Sequence, residues 1–220
     1  MSHSPGQRLS VWCITLVTSL VCSMPLAASP ENSSEWKFTV FLNDDSIGYH
    51  HFNLDHSGDK ARLTTRADFD VTFLKIPLFS YEHENTELWN NRCLERIDST
   101  TNQNGDLYSV NGVRTDSGFR LKNRDGEDTL PACVSTFAYW DMAFLQRKQL
   151  LNSQTGEYVE VTTDYLGESD IEIGDIRTPA RHFRLTADDM VIDLWYSHND
   201  RWLALETLTS TGSVLRYVTE

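Results

Sequence analysis

From Ala61 to Phe73 two sets of side chains interleave strictly: Ala61, Leu63, Thr65, Ala67, Phe69, Val71 and Phe73 against Arg62, Thr64, Arg66, Asp68, Asp70 and Thr72. A period of two places the first set on one face of an extended strand and the second on the other. A helix would scatter both sets around its axis, so the stretch specifies a half-buried β-strand. The same period recurs through most of the chain from Trp36 onward, and helical periodicity is scarce.

Trp36, Phe38, Val40 and Leu42 share a face, and a turn leads from there to a second strand near Ile47–Leu54. Pro77 precedes a long strand over Leu78–Trp89, and Gly-containing turns separate further strands at Cys93–Thr101, Asp106–Val110 and Phe119–Lys122. The pattern resumes at Glu157–Leu166 and Ile171–Ile173. After a bulge or sheet edge at Pro179 it continues over Arg181–Leu185. Met190–Ser197, Trp202–Leu208 and Val214–Val218 form a closing meander. One helix is predicted over Met142–Leu151, capped by Asp141, with Phe144 and Leu145 turned inward. About eleven strands exceed what one flat sheet accommodates in a chain of this length. The expected fold is therefore mainly β: a strongly curved antiparallel sheet, a barrel or half-barrel with one short helix, forming a single domain over residues 36–220.

The N-terminus has a different character. Arg8 is its one firm positive charge, residues 11–20 are almost wholly apolar, and small residues follow at Ala27, Ala28 and Ser29. This pattern predicts a signal peptide over residues 1–28, cleaved near Ala28, and an exported protein, periplasmic or secreted. As a membrane anchor, Val11–Leu26 falls short of the ~20 apolar residues a span requires and contains Thr15, Thr18, Ser19, Ser23 and Pro25. No stable span is expected after cleavage, and residues 29–35 read as a flexible polar lead-in.

Cleavage removes Cys13 and Cys22 and leaves Cys93 and Cys133. With no CxxC spacing and no His–Cys cluster nearby, this pair predicts a structural disulfide. Closing a loop of about forty residues, it would stabilise the fold by ~4 kcal/mol. The 32 acidic residues against 19 basic ones give a formal charge of −13. Such a balance repels nucleic acid and anionic headgroups, and the scattered acidic residues read as a solvated surface.

Candidate site residues come from two segments. On Leu78–Trp89 alternation groups Tyr81, His83, Glu87 and Trp89, with Asn85 between, on one face. Polar groups among aromatics suit a small-molecule cavity. Period-two patterning does not reveal which face is inside, and an outward face with aromatic cross-strand pairs is the simpler assignment. Around the helix, Tyr139, Trp140, Gln154 and Thr155 are candidates for a polar-aromatic lip over that cavity. Asp141 as a cap and Asn152–Gly156 as an exit turn account structurally for their neighbours.

Other chemistries lack their residue patterns. His50 and His51 point to opposite faces of a strand, and His83 and Glu87 stand ~13 Å apart along one. No HxH or HExxH spacing occurs, so no metal site is expected. There is no GxSxG elbow, Walker motif or dinucleotide-binding glycine pattern, and no cofactor is expected. A hydrolase would need His83 or His198 beside a carboxylate in a cleft.

The segments WKFTVFLNDDSIGYHHF, YEHENTELWNNRCLERIDSTT, FAYWD with LLNSQTGE, and IDLWY followed by Trp202 and Leu205–Thr207 resemble uncharacterised exported bacterial proteins known as domain of unknown function 6134. The resemblance covers essentially the whole chain after residue 28 and implies no activity. The opening strand–Ile-Gly–strand and closing meander are more loosely similar to periplasmic curved-sheet modules of the lipoprotein-carrier type. With six Trp, eight Tyr and ten Phe, the chain is expected to be a non-enzymatic module binding an apolar or amphipathic small molecule inside a curved sheet. The alternative is a cell-envelope protein-interaction module with a packed core and an exposed aromatic patch. A Cys93–Cys133 bond would hold the Leu78–Trp89 strand near the FAYWD segment, and that junction is the place to look for a site.

Overall fold

The alternation is realised as strands almost throughout. The computed structural model describes Met1 and residues 32–73, 76–188 and 190–219. The expected signal peptide and its cleavage point lie outside the described residues.

Strands β1 (Asn32–Leu42), β2 (Asp45–Ser57), β3 (Lys60–Phe73) and β4 (Ile76–Asn90) come first. They are followed by β5 (Cys93–Gln103), β6 (Asp106–Thr115), β7 (Gly118–Asn123) and β8 (Gly126–Leu130). After a 3-10 helix come the short strands β9 (Gln149–Leu151) and β10 (Tyr158–Glu160). The chain ends with β11 (Thr162–Ile173), β12 (Ile176–Ala187), β13 (Met190–Tyr196), β14 (Trp202–Leu208) and β15 (Val214–Thr219).

Thirteen strands form one antiparallel sheet in the order β11-β12-β13-β14-β15-β1-β2-β3-β4-β5-β6-β7-β8, and β9 pairs with β10 apart from it. The joint between the chain's ends is β15 on β1, with Val40 opposite Tyr217. The sheet is not a closed barrel of about eleven strands: the described residues form fifteen strands, and among them β11 and β8 remain as edges. Curling is nevertheless strong. Met190 of β13 and His83 of β4 line one cleft, although six strand spacings separate them, about 29 Å on a flat sheet. Register shifts at Val40/Phe41, Leu88/Trp89, Tyr165/Gly167 and Trp195/Tyr196 add local twist.

Closure is replaced by filling. The segment between β8 and β11 packs its buried Val134, Ala138, Phe144, Leu150, Leu151 and Val161 into the same core as Phe38, Leu54, Ile97, Leu194 and Trp202 of the sheet. Leu94 N–H to Val134 O (2.9 Å) and Leu151 N–H to Ser135 O (2.9 Å) anchor it. A disulfide between Cys93 and Cys133 fastens its start to β5.

Three local expectations change. The helix is a 3-10 turn over Met142–Gln146 rather than an α-helix to Leu151. Asp141 does cap it, accepting from Ala143 N–H, but Arg147 turns extended because Leu150 and Leu151 are buried by strand pairing with Val159 and Tyr158. Residues 32–35 are not a flexible lead-in, since they pair with His56, Asp55, Leu54 and Asn53 of β2. Pro179 lies inside β12 opposite Asp170, beyond the end of β13, whose pairing with β12 starts at Arg181. A proline's missing N–H is tolerated at such a one-sided position.

Candidate functional site

Register on β3 decides the orientation of β4. Ala61, Leu63, Thr65, Ala67 and Phe69 stand opposite Trp89, Glu87, Asn85, His83 and Tyr81. The apolar face of β3 belongs to the core, so the polar-aromatic face of β4 is carried inward with it. Tyr81, His83, Asn85, Glu87 and Trp89 are only 6, 3, 5, 1 and 4% exposed. The outward assignment is thereby corrected, and Glu82, Glu84 and Leu88 occupy the outer face. Ala61 and Ala67 leave room beside the large rings of Trp89 and His83.

Glu87 accepts hydrogen bonds from Asn85 Nδ2 (2.9 Å), Trp89 Nε1 (3.0 Å) and Thr136 Oγ1 (3.2 Å). Burial raises its pKa above the usual carboxylate range, and these three donors pull it back part of the way. Thr136 belongs to the filling segment, so the carboxyl ties β4 to that segment.

His83 Nδ1 lies 2.9 Å from Thr101 Oγ1, and the Thr101 hydroxyl donates to Gln154 O at 3.3 Å. With the hydroxyl proton so committed, His83 Nδ1 carries the imidazole proton and donates. Burial depresses the His83 pKa to about 4. His50 Nδ1 is 3.1 Å from the Tyr217 hydroxyl. Burial, then the neighbouring His83 and His51, hold His50 well below its usual value. The two rings meet edge-on at 6.4 Å, and His50 stacks on Phe52 at 4.1 Å. Both imidazoles are neutral near neutral pH.

These groups surround a cleft of ≈ 130 Å³ whose lining includes His50, Thr65, His83, Asn85, Glu87 and Thr136. Phe52, Leu63, Tyr139 and Met190 supply apolar wall, and Asn152–Gln154 close one side. His50 Nε2, Thr65 Oγ1 and Asn85 Oδ1 are shielded from solvent and have no hydrogen-bond partner among the described residues.

Of the residues expected from sequence, His83, Glu87, Tyr139 and Gln154 meet at this cleft. Tyr81 stacks between Phe69 (5.1 Å) and Phe79 (6.4 Å) instead. Trp89 packs edge-on against Trp140 at 5.6 Å, and Trp140 lines a separate, larger groove. The Thr155 hydroxyl donates to Glu157 Oε2 (2.9 Å) and serves the turn. His50 and Thr65 were not singled out. Their signal was positional: each occupies the apolar register of its strand, His50 with Phe52 and Leu54, Thr65 with Leu63 and Ala67.

The arrangement required of a hydrolase takes another form here. His83 bonds a threonine, Glu87 bonds Asn85, Trp89 and Thr136, and His198 lies 3.8 Å from Glu168 on the exposed surface. Among the described residues no group of three or more His, Cys, Asp or Glu is placed to hold a metal ion. No described helix is long and apolar enough to cross a membrane. Apart from Met1, large exposed hydrophobic residues among those described are spread over β4, β6, β11, β12, β13 and β14, and Tyr165 is their one aromatic member.

The architecture is similar to the crystal structure of a beta-barrel-like protein of domain of unknown function DUF1849 from Brucella abortus, with a TM-score of 0.60. The likeness covers 88% of this chain and 96% of that one at 11% identity, and is one of fold. No curated protein matches the chain. The model of the family described as Domain of unknown function (DUF6134) matches residues 38–220, and the chain belongs to that family.

Proposed function

We propose that this chain is an exported, non-catalytic binding module that holds a small, uncharged, hydrogen-bonding molecule in the cleft between β2, β3, β4 and the filling segment. The observation that carries this reading is the trio of unpaired buried atoms, His50 Nε2, Thr65 Oγ1 and Asn85 Oδ1, around one cleft. A buried polar atom left without a partner costs ~1–3 kcal/mol, so the trio favours an occupant that bonds to it. Asn85 Oδ1 accepts only, which calls for a donor on the ligand. Neutral imidazoles and the absence of a lysine or arginine from the lining favour an uncharged molecule.

Size narrows the class further. At ≈ 130 Å³ the cleft is close to the ~150 Å³ cavity known to hold benzene. An acyl chain exceeds that volume, so within the apolar or amphipathic class expected from the aromatic content the cleft favours a ring-sized molecule with polar groups. The Cys93–Cys133 bond and the apolar residues 11–20 support export, since disulfides persist in oxidising compartments.

Phenol and benzamide serve as probes. Each is expected to raise the melting temperature of the disulfide-intact protein in a concentration-dependent way, and Asn85→Leu is expected to abolish the rise. Equal shifts in wild type and Asn85→Leu, or none with either probe at millimolar concentration, would contradict the reading.

A further inference from the structure

A second groove, of ≈ 690 Å³, lies between the inner face of β11–β12, the 3-10 turn and the end of β2. It shares no lining residue with the inner cleft. Trp140, Leu145, Tyr165 and Phe183 form its apolar wall, the last two with rings 5.0 Å apart. Its size falls within the several hundred cubic ångströms usual for ligands larger than the inner cleft admits.

Three polar atoms of its lining residues are shielded from solvent without a partner among the described residues: Trp140 Nε1, Arg181 Nε and Thr163 Oγ1. An indole N–H and a guanidinium N–H can only donate, and a threonine hydroxyl can donate as well. The groove therefore asks its occupant for acceptors. Arg181 is already held in place through Nη2, which donates to Ser197 O (2.9 Å) and to Asp200 Oδ1, with Met142 Sδ at 3.2 Å. That anchoring leaves Nε–H on a fixed, charged group, and charge-assisted bonds from arginine are strongest to a carboxylate.

We propose that this groove is a binding site for an organic acid, a carboxylate carried on an apolar body. The carboxylate accepts from Arg181 Nε–H and Trp140 Nε1–H, and the body lies against Leu145, Tyr165 and Phe183. The groove's lining sets Arg92 and Arg181 against Asp141 and Asp200, so it is balanced in formal charge where the whole chain carries −13. The unpaired N–H donors of Trp140 and Arg181 distinguish it from the inner cleft, where Asn85 Oδ1 needs a donor.

The test uses decanoate, with decanol as its uncharged counterpart, titrated into the disulfide-intact protein by calorimetry. Decanoate is expected to bind about tenfold or more tightly than decanol, since only the acid makes charge-assisted bonds. Trp140→Phe, which keeps an aromatic wall and removes the N–H, is expected to weaken decanoate about tenfold and leave decanol unchanged. Arg181→Gln removes the charge and is expected to erase the preference for the acid, with a melting curve to establish that the variant is folded. Thr65→Val in the inner cleft is expected to leave decanoate binding unaltered, which separates this site from the proposed function. Equal affinity for acid and alcohol, unchanged decanoate affinity in Trp140→Phe, or no decanoate binding at millimolar concentration would overturn the proposal.

Discussion

Glu87 and Thr136 stand 49 residues apart in the chain and share a 3.2 Å hydrogen bond in a place where both are almost wholly buried. Asn85 and Trp89 donate to the same carboxyl from two residues on either side. One side chain thus ties the middle of the sheet to the segment that fills it. Replacing Glu87 by Leu strands three donors and is expected to cost about 3–5 kcal/mol in urea unfolding, whereas Glu87→Gln keeps an acceptor and is expected to cost less. Equal losses for the two variants would show that the hydrogen bonds are not what the position contributes.

The disulfide makes the same connection covalently, from β5 to the segment through Cys93 and Cys133. Cys93→Ser with Cys133→Ser is expected to lower the unfolding free energy by ~4 kcal/mol. A change under ~1 kcal/mol would mean that the buried contacts alone hold the segment in place.

Acid should destabilise the fold through the paired imidazoles. His83 titrates at about 4 when folded and at 6.5 when free, and His50 is lowered as well. The unfolded chain binds these protons first, so their contribution is fully present above 6.5 and is lost as pH falls through about 4. Glu87, raised by burial, acts in the opposite sense: its contribution is fully present below its unfolded value and is lost as pH rises through its folded value. His83 is expected to dominate between pH 6.5 and 4, with a loss of up to about 3 kcal/mol that His83→Gln reduces. Stability independent of pH across that window would contradict the neutral, buried imidazole.

Gly48 crosses β3 so closely that an added Cβ would lie 1.9 Å from Asp68 O, at a backbone φ of +149°. Gly48→Ala is expected to destabilise by ~2 kcal/mol or more, seen as a lowered denaturation midpoint, because backbone rather than a pliable side chain stands in the way. A neutral substitution would mean that β2 and β3 separate easily there.

How far such features could be read from the chain depended on whether they were local. The interleaving of Ala61–Phe73 shows in a single strand, and so β3 was legible, as were the Cys93–Cys133 pairing and the capping role of Asp141. Which face of β4 turns inward was not, because it depends on Ala67 standing beside His83 and Leu63 beside Glu87, a matter of register between strands. Strand β8, sequence GEDTL, carries no alternation at all and is held by its pairing with β7. Leu150 and Leu151 fitted a helix until partners 158 and 159 drew them into a hairpin. Trp140 was expected at the inner cleft but stands in the outer groove, since which of two neighbouring cavities an aromatic lines is decided by tertiary packing.

The most direct test of the central claim is native mass spectrometry of the protein gently extracted from the cells that make it, compared with its mass after denaturation. The account predicts a low-mass adduct, lost on denaturation and absent from Asn85→Leu. A bare protein under native conditions, or an adduct that Asn85→Leu retains unchanged, would contradict it.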